Sequence, residues 1–177
     1  MLAAALRCFA RKGFAGTTII DIEREAGLSP GAGGTYRHFP SKQAMLEAAV
    51  ADALARSDEE MAPEPASLAD AARSALGRMD ELGDLTRIVL RDLDRFPDLL
   101  EPVVDRLLEG PYRLAAQRTA AVLPGIDAEA IAAVLVGGLV SFKVIEAVAG
   151  RRPGAVDEDR LVDAWAHLYG LLLKEGA

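Results

Sequence analysis

Gly27-Leu28-Ser29-Pro30-Gly31-Ala32-Gly33-Gly34-Thr35-Tyr36-Arg37-His38-Phe39-Pro40-Ser41-Lys42 organises the reading of this chain. A short helix ends at Gly27, a tight turn follows, and Ser29-Pro30 reads as the cap and first residue of another short helix that Pro40 stops. Helix, turn and helix in this order form a unit whose second helix can enter the major groove of DNA. The stretch also supplies hydroxyls, a phenol and cations, which suit phosphates and base edges.

Working outward, Leu2, Leu6, Phe9 and Ala10 recur at helical spacing, and Gly13 supplies a stop. Thr18 reads as the N-cap of the next helix, with Asp21 completing a capping box and Ile19, Ile22 and Ala26 on its apolar face. Ser41 caps a longer helix that runs to about residue 60. Met61-Ala-Pro-Glu-Pro-Ala66 reads as a linker.

Beyond it the pattern stays helical. Ser67 opens a helix carrying Leu68, Ala72, Leu76 and Met79, and Gly83 interrupts. Leu85 to Phe96 stops at Pro97. Asp98 to Leu123 is expected to break or kink at Gly110-Pro111. Asp127 to Ala149 is apolar nearly all round, and Asp157 to Lys174 is amphipathic. No strand pattern or repeat appears. The expected fold is all-α, about nine helices, with a helix-turn-helix domain over 1–50, a connecting helix to about 60, and a helical domain over 51–177.

The 177 residues carry a net charge of −7, which argues against unselective coating of nucleic acid. Residues 1–50 are +2 and residues 51–177 are −9, a mildly basic head on an acidic body. Ile131 to Val140, the most apolar run, is too short to span a bilayer, and no secretory signal is visible. The single cysteine, Cys8, forms no internal disulfide. These features predict a cytoplasmic protein with no membrane partner.

Thr17, Thr18, Ser29 and Ser41 place hydroxyls at helix N-termini, where they cap and where phosphates also bind. Tyr36, Arg37, His38 and Lys42 cluster within seven residues. Enzyme chemistry finds no support. His38 and His167 are the only histidines, no Cys/His/carboxylate set has metal-ligand spacing, and Gly31-Ala32-Gly33-Gly34 is not followed by Lys-Ser/Thr as a phosphate loop requires. No cofactor is expected.

Four blocks in order carry a family resemblance: Phe9-Ala10-Arg11-Lys12-Gly13-Phe14, Thr17-Thr18-Ile19-Ile20-Asp21-Ile22, Ala26-Gly27-Leu28-Ser29 and Tyr36-Arg37-His38-Phe39-Pro40-Ser41-Lys42. Over about residues 1–50 the chain resembles the N-terminal domain of TetR/AcrR-family transcriptional regulators. The resemblance implies that Thr18 caps the second helix near a phosphate and that Tyr36 and Lys42 contact the DNA backbone. It implies further that Ser29, Pro30, Gly31 and Ala32 open the recognition helix, and that Phe9, Phe14, Ile22 and Phe39 build the small core. The candidate DNA-binding set is then Thr17, Thr18, Ser29, Pro30, Gly31, Ala32, Thr35, Tyr36, Arg37, His38 and Lys42.

Two departures stand out. The family commonly has six residues from the turn Ser to the Tyr, and Ser29 to Tyr36 spans eight, with Thr35 where an apolar residue is usual. The family usually has a basic arm before its first helix, and this sequence opens inside that helix.

The resemblance makes the body a ligand-binding and dimerising domain. Ligand-binding candidates are Met79, Arg91, Phe96, Tyr112, Phe142 and Trp165. The last two helices suggest a dimer interface of Leu135, Gly138, Leu139, Phe142, Leu161, Trp165, Leu168 and Leu172, forming an intermolecular four-helix bundle. The expected function is a homodimeric regulator, most commonly a repressor in this family, that binds a palindromic DNA operator and is released by a small, mostly apolar effector. The alternative is a helical ligand-binding or protein-interaction dimer that has lost sequence-specific DNA binding.

Overall fold

A computed structural model describes residues 1–31, 34–59 and 65–175, and these are helical with no strand among them. The linker positions Met61, Ala62, Pro63 and Glu64 lie outside the described residues. The helices are α1 (Leu2–Gly16), α2 (Ile19–Glu25), α3 (Gly34–His38), α4 (Lys42–Glu59), α5 (Leu68–Glu81), α6 (Gly83–Asp92), α7 (Pro97–Val104), α8 (Gly110–Val122), α9 (Ala128–Ala149) and α10 (Glu158–Glu175).

The sequence divisions 1–50 and 51–177 are not the spatial ones. One compact unit comprises Met1–Met61 with Leu82–Val103, and the other Ala62–Glu81 with Val104–Ala177. In the first unit α1 packs on α2, α4 and α6. Its core holds Phe9, Ile22, Met45, Leu46, Leu85 and Ile88, all fully buried. Each such side chain contributes about 1.5–3 kcal/mol relative to exposure. Phe14 stacks 5.8 Å from Phe9 and meets Phe96 edge-on at 4.6 Å.

In the second unit α5 packs on α9 and α10, and α8 packs on α9. Ala72, Leu76, Leu139 and Val162 form its centre, with Met79, Leu161 and Trp165 against them. Trp165 donates its indole N–H to the Leu135 carbonyl at 2.7 Å. Thr119 and Tyr169 share a hydroxyl hydrogen bond of 2.9 Å.

The caps expected at Ser41 and Ser67 are in place, and Asp127 and Asp157 act in the same way at α9 and α10. Ser41 Oγ accepts the Ala44 N–H, Ser67 Oγ accepts Asp70 N–H, and Asp127 and Asp157 accept from Ala130 and Arg160. The break expected at Gly110-Pro111 is instead a π-helical segment over Asp105–Glu109, in which Gly110 donates to the Asp105 carbonyl. Pro111 has no N–H to give to the turn before it, and widening the turn keeps the chain helical.

The apolar run Ile131–Val140 belongs to a longer helix than it suggested. α9 has 22 residues and contains an 18-residue stretch of mean hydropathy 2.0, the length and composition of a bilayer span. One face packs on α5 and α8, and Lys143 within it donates to Asp80 and Glu158 at 2.6–3.0 Å.

The interface residues expected on α9 and α10 divide. Leu135, Leu139 and Phe142 are buried within their own chain, and Leu161, Trp165 and Leu172 are half-buried. Gly138 and Leu168 are exposed. The outward apolar side chains are Val134, Ile145 and Val148 on α9, with Leu168 and Leu171 on α10. A helix apolar all round does not say from its sequence which face its own chain covers.

Candidate nucleic-acid interface

The head is built around a deliberate interruption of α1. Gly13 takes φ +71°, which breaks the helix and frees its last carbonyls. Side chains from three other elements collect them. Thr17 Oγ1 donates to the carbonyls of Cys8 and Gly13, and Lys42 Nζ donates to Phe14 and Thr17 at 2.7 and 2.8 Å. Arg91 of α6 donates to Ala10 and Arg11, while Asp92 accepts the Phe14 N–H.

The start of α2 follows its sequence signature. Thr18 Oγ1 accepts the Asp21 N–H, and Asp21 accepts the Thr18 N–H, a complete capping box. Lys12, followed by Thr18, holds the Asp21 carboxyl well below the usual carboxylate range. Arg7 and Arg11 lower Glu25 in the same way. These pairs tie α1 to α2.

α2 ends in a Schellman motif. Gly27, at φ +71°, donates to Arg24, and Leu28 donates to the Glu23 carbonyl. Here the structure corrects the sequence reading. Ser29 and Pro30 do not open the next helix, and neither does Gly31. They form the turn, and α3 begins at Gly34. Ala32 lies outside the described residues. Helix is costly through a Gly-rich stretch, and α3 is five residues long.

Glu23 organises that turn, and nothing in the sequence reading singled it out. Its carboxylate accepts the Gly31 N–H at 2.8 Å and the Thr35 hydroxyl at 2.6 Å. The Thr35 bond, then the Gly31 bond, lowers its pKa against the opposing effect of desolvation. The available signal was Thr35 itself, a hydroxyl at a position that needed an apolar residue unless an acceptor lay beneath it.

The candidates therefore separate. Tyr36, Arg37 and His38 project from α3 into solvent, with Tyr36 59% exposed. Thr18, Ser29, Pro30 and Gly31 are also exposed. Thr17 and Thr35 are buried, because each hydroxyl serves an internal acceptor, so neither faces a partner. Lys42 is half-buried with its ammonium 4.4 Å from the Phe14 ring centre and on two carbonyls. Ile20 and Arg24, one turn apart on the exposed face of α2, join the surface unannounced.

The ligand-binding candidates scatter. Arg91 and Phe96 belong to the first unit, where they hold α1 and Phe14. Met79, Tyr112, Phe142 and Trp165 belong to the second. Tyr112 lies against Gly137, where an added Cβ would stand 3.7 Å from its hydroxyl. An open groove of about 450 Å³ in the first unit is lined by Gln43, Glu47, Arg95, Phe96, Asp98 and Leu99. Of the candidates only Phe96 borders it. No group of three or more metal-ligating side chains occurs among the described residues.

Residues 1–49 match the family described as "Bacterial regulatory proteins, tetR family". An uncharacterized HTH-type transcriptional regulator of Bacillus subtilis, YerO, is 50% identical over 46 residues, a stretch that spans 26% of this chain and 15% of that protein. A putative TetR-family regulator from Mesorhizobium loti shares the fold at a TM-score of 0.66 and 20% identity, over 97% of this chain and 93% of that one. A putative transcriptional regulator from Streptomyces coelicolor does so at 0.63 and 23%, over 94% of each. The head thus matches the tetR family of bacterial regulatory proteins in sequence, and nearly the whole chain shares the fold of the two solved regulators.

Proposed function

We propose that this chain is a homodimeric, ligand-responsive repressor that binds a palindromic operator in the cytoplasm. The observation that carries the reading is the outward projection of Tyr36, Arg37 and His38 from α3, the short helix that follows the capped α2. Arg37 is suited to a guanine edge, and Tyr36 and His38 to phosphates. Thr18 at the start of α2 places N–H groups where a phosphate binds.

A twofold dimer reads two half-sites about one helical turn of DNA apart. The outward side chains Val134, Ile145, Val148, Leu168 and Leu171 support such a dimer, since water-exposed apolar stripes on adjacent helices favour a second copy. The effector is a small, mostly apolar molecule held by the second unit. Its preference for one arrangement of the two heads lowers operator affinity, and the operator weakens effector binding by the same factor.

Selection of bound DNA from a random pool by the purified chain, at near-physiological salt, tests this. Enrichment of a palindrome supports the repressor. The rival reading is a helical ligand-binding dimer without sequence-specific DNA binding. It draws on the inward Thr35 and Lys42, and an unenriched pool selects it.

A further inference from the structure

Glu23 differs from the other acids of the head. Asp21 and Glu25 pair at the surface with Lys12 and with Arg7 and Arg11. Glu23 is only 3% exposed, and its two oxygens are divided between two neutral donors, the Gly31 N–H and the Thr35 hydroxyl. A buried carboxylate without a counter-cation is costly, and an apolar side chain would satisfy packing alone. What the carboxylate adds is a simultaneous hold on two points of the chain.

Those two points lie within the interval from Ser29 to Tyr36, which is two residues longer in sequence than is common in the family the head resembles. At five residues, α3 is too short to hold its place against α2 without tertiary contacts. Thr35 immediately precedes Tyr36 and Arg37. We infer that Glu23 and Thr35 are positioning residues for sequence reading: their hydrogen bond sets where Tyr36 and Arg37 stand in the groove. The inference rests on the proposed DNA binding.

Attraction to DNA in general comes from phosphate neutralisation and tolerates small displacements, whereas a bidentate base contact does not. Losing the bond therefore costs discrimination, not general affinity. The test compares wild type with Thr35→Val, Thr35→Ser and Glu23→Gln. Affinity is measured for the selected operator and for a random duplex of equal length, each over a salt series, with folding followed by circular dichroism.

Thr35→Val and Glu23→Gln are expected to lower the operator-to-random affinity ratio about tenfold or more. The salt slope on random duplex stays unchanged, and Thr35→Ser stays within about threefold of wild type. An unchanged ratio in folded Thr35→Val overturns the inference. So does unfolding of Thr35→Val at the assay temperature, since the bond would then hold the fold and not the reading. If wild type itself enriches no operator, the DNA-binding reading fails first and takes the inference with it.

Discussion

At Gly13 the backbone turns through φ +71° while the Arg91 side chain lies against it, and an added Cβ would stand 2.8 Å from Arg91 Cδ. Gly13→Ala therefore carries both a left-handed backbone penalty and displacement of the Arg91 clamp. It should cost about 1–3 kcal/mol, read as a lower urea or thermal midpoint. The carboxylates of the head allow a second prediction. Asp21, Glu23 and Glu25 all have lowered folded-state pKa values. Depressed acids stabilise the folded state above their unfolded values, near 4, and the contribution is lost as pH falls through the lower folded values. Head stability should thus fall on acidification below about pH 4.5, and Asp21→Asn should flatten that dependence in a pH series of thermal melts. A dependence as steep in the variant as in wild type would show that Asp21 contributes nothing.

Among the elements, α2 relies on its ends more than on its length. Seven residues make a marginal helix, and the capping box and Schellman motif satisfy groups that would otherwise be orphaned. Thr18→Ala should cost about 1 kcal/mol in stability, with operator affinity falling alongside it. α5, α9 and α10 meet at Lys143, whose side chain is 10% exposed and bonded to Asp80 and Glu158. Burial alone would lower its pKa, and the two hydrogen bonds raise it overall. Lys143→Met keeps the shape but leaves Asp80, Glu146 and Glu158 without their shared cation. Because Asp80 is largely exposed, solvent screens the effect, and a loss of about 1 kcal/mol in urea unfolding is the expected size.

For the whole molecule, the exposed apolar stripes of α9 and α10 set the test of assembly. Val134 is 74% exposed in the single chain and Leu168 60%. Val134→Asp together with Leu168→Glu should convert the proposed dimer to a monomer in sedimentation measurements at micromolar concentration, with helical content retained. Operator affinity should fall with it, because a monomer binds one half-site. An unchanged mass would place any interface elsewhere. Neither substitution touches the side chains buried beneath, so a loss of folding is not expected.

The sequence by itself marked most of the helices, several of their caps and the family that the head resembles. Thr18 with Asp21, Gly27, Ser41 and Ser67 act within one turn of themselves, so local spacing suffices to read them. It also marked the anomaly between Ser29 and Tyr36, but not its consequence. Only the tertiary structure decided that Thr17, Thr35 and Lys42 turn inward, that α3 starts at Gly34, and which faces of α9 and α10 remain uncovered. It also decided that α6 serves the head through Arg91 and Asp92, some eighty residues from the carbonyls and N–H they hold. These outcomes depend on which long-range partner meets a hydroxyl, an ammonium or an apolar face, and the spacing of residues along one helix carries no record of that partner.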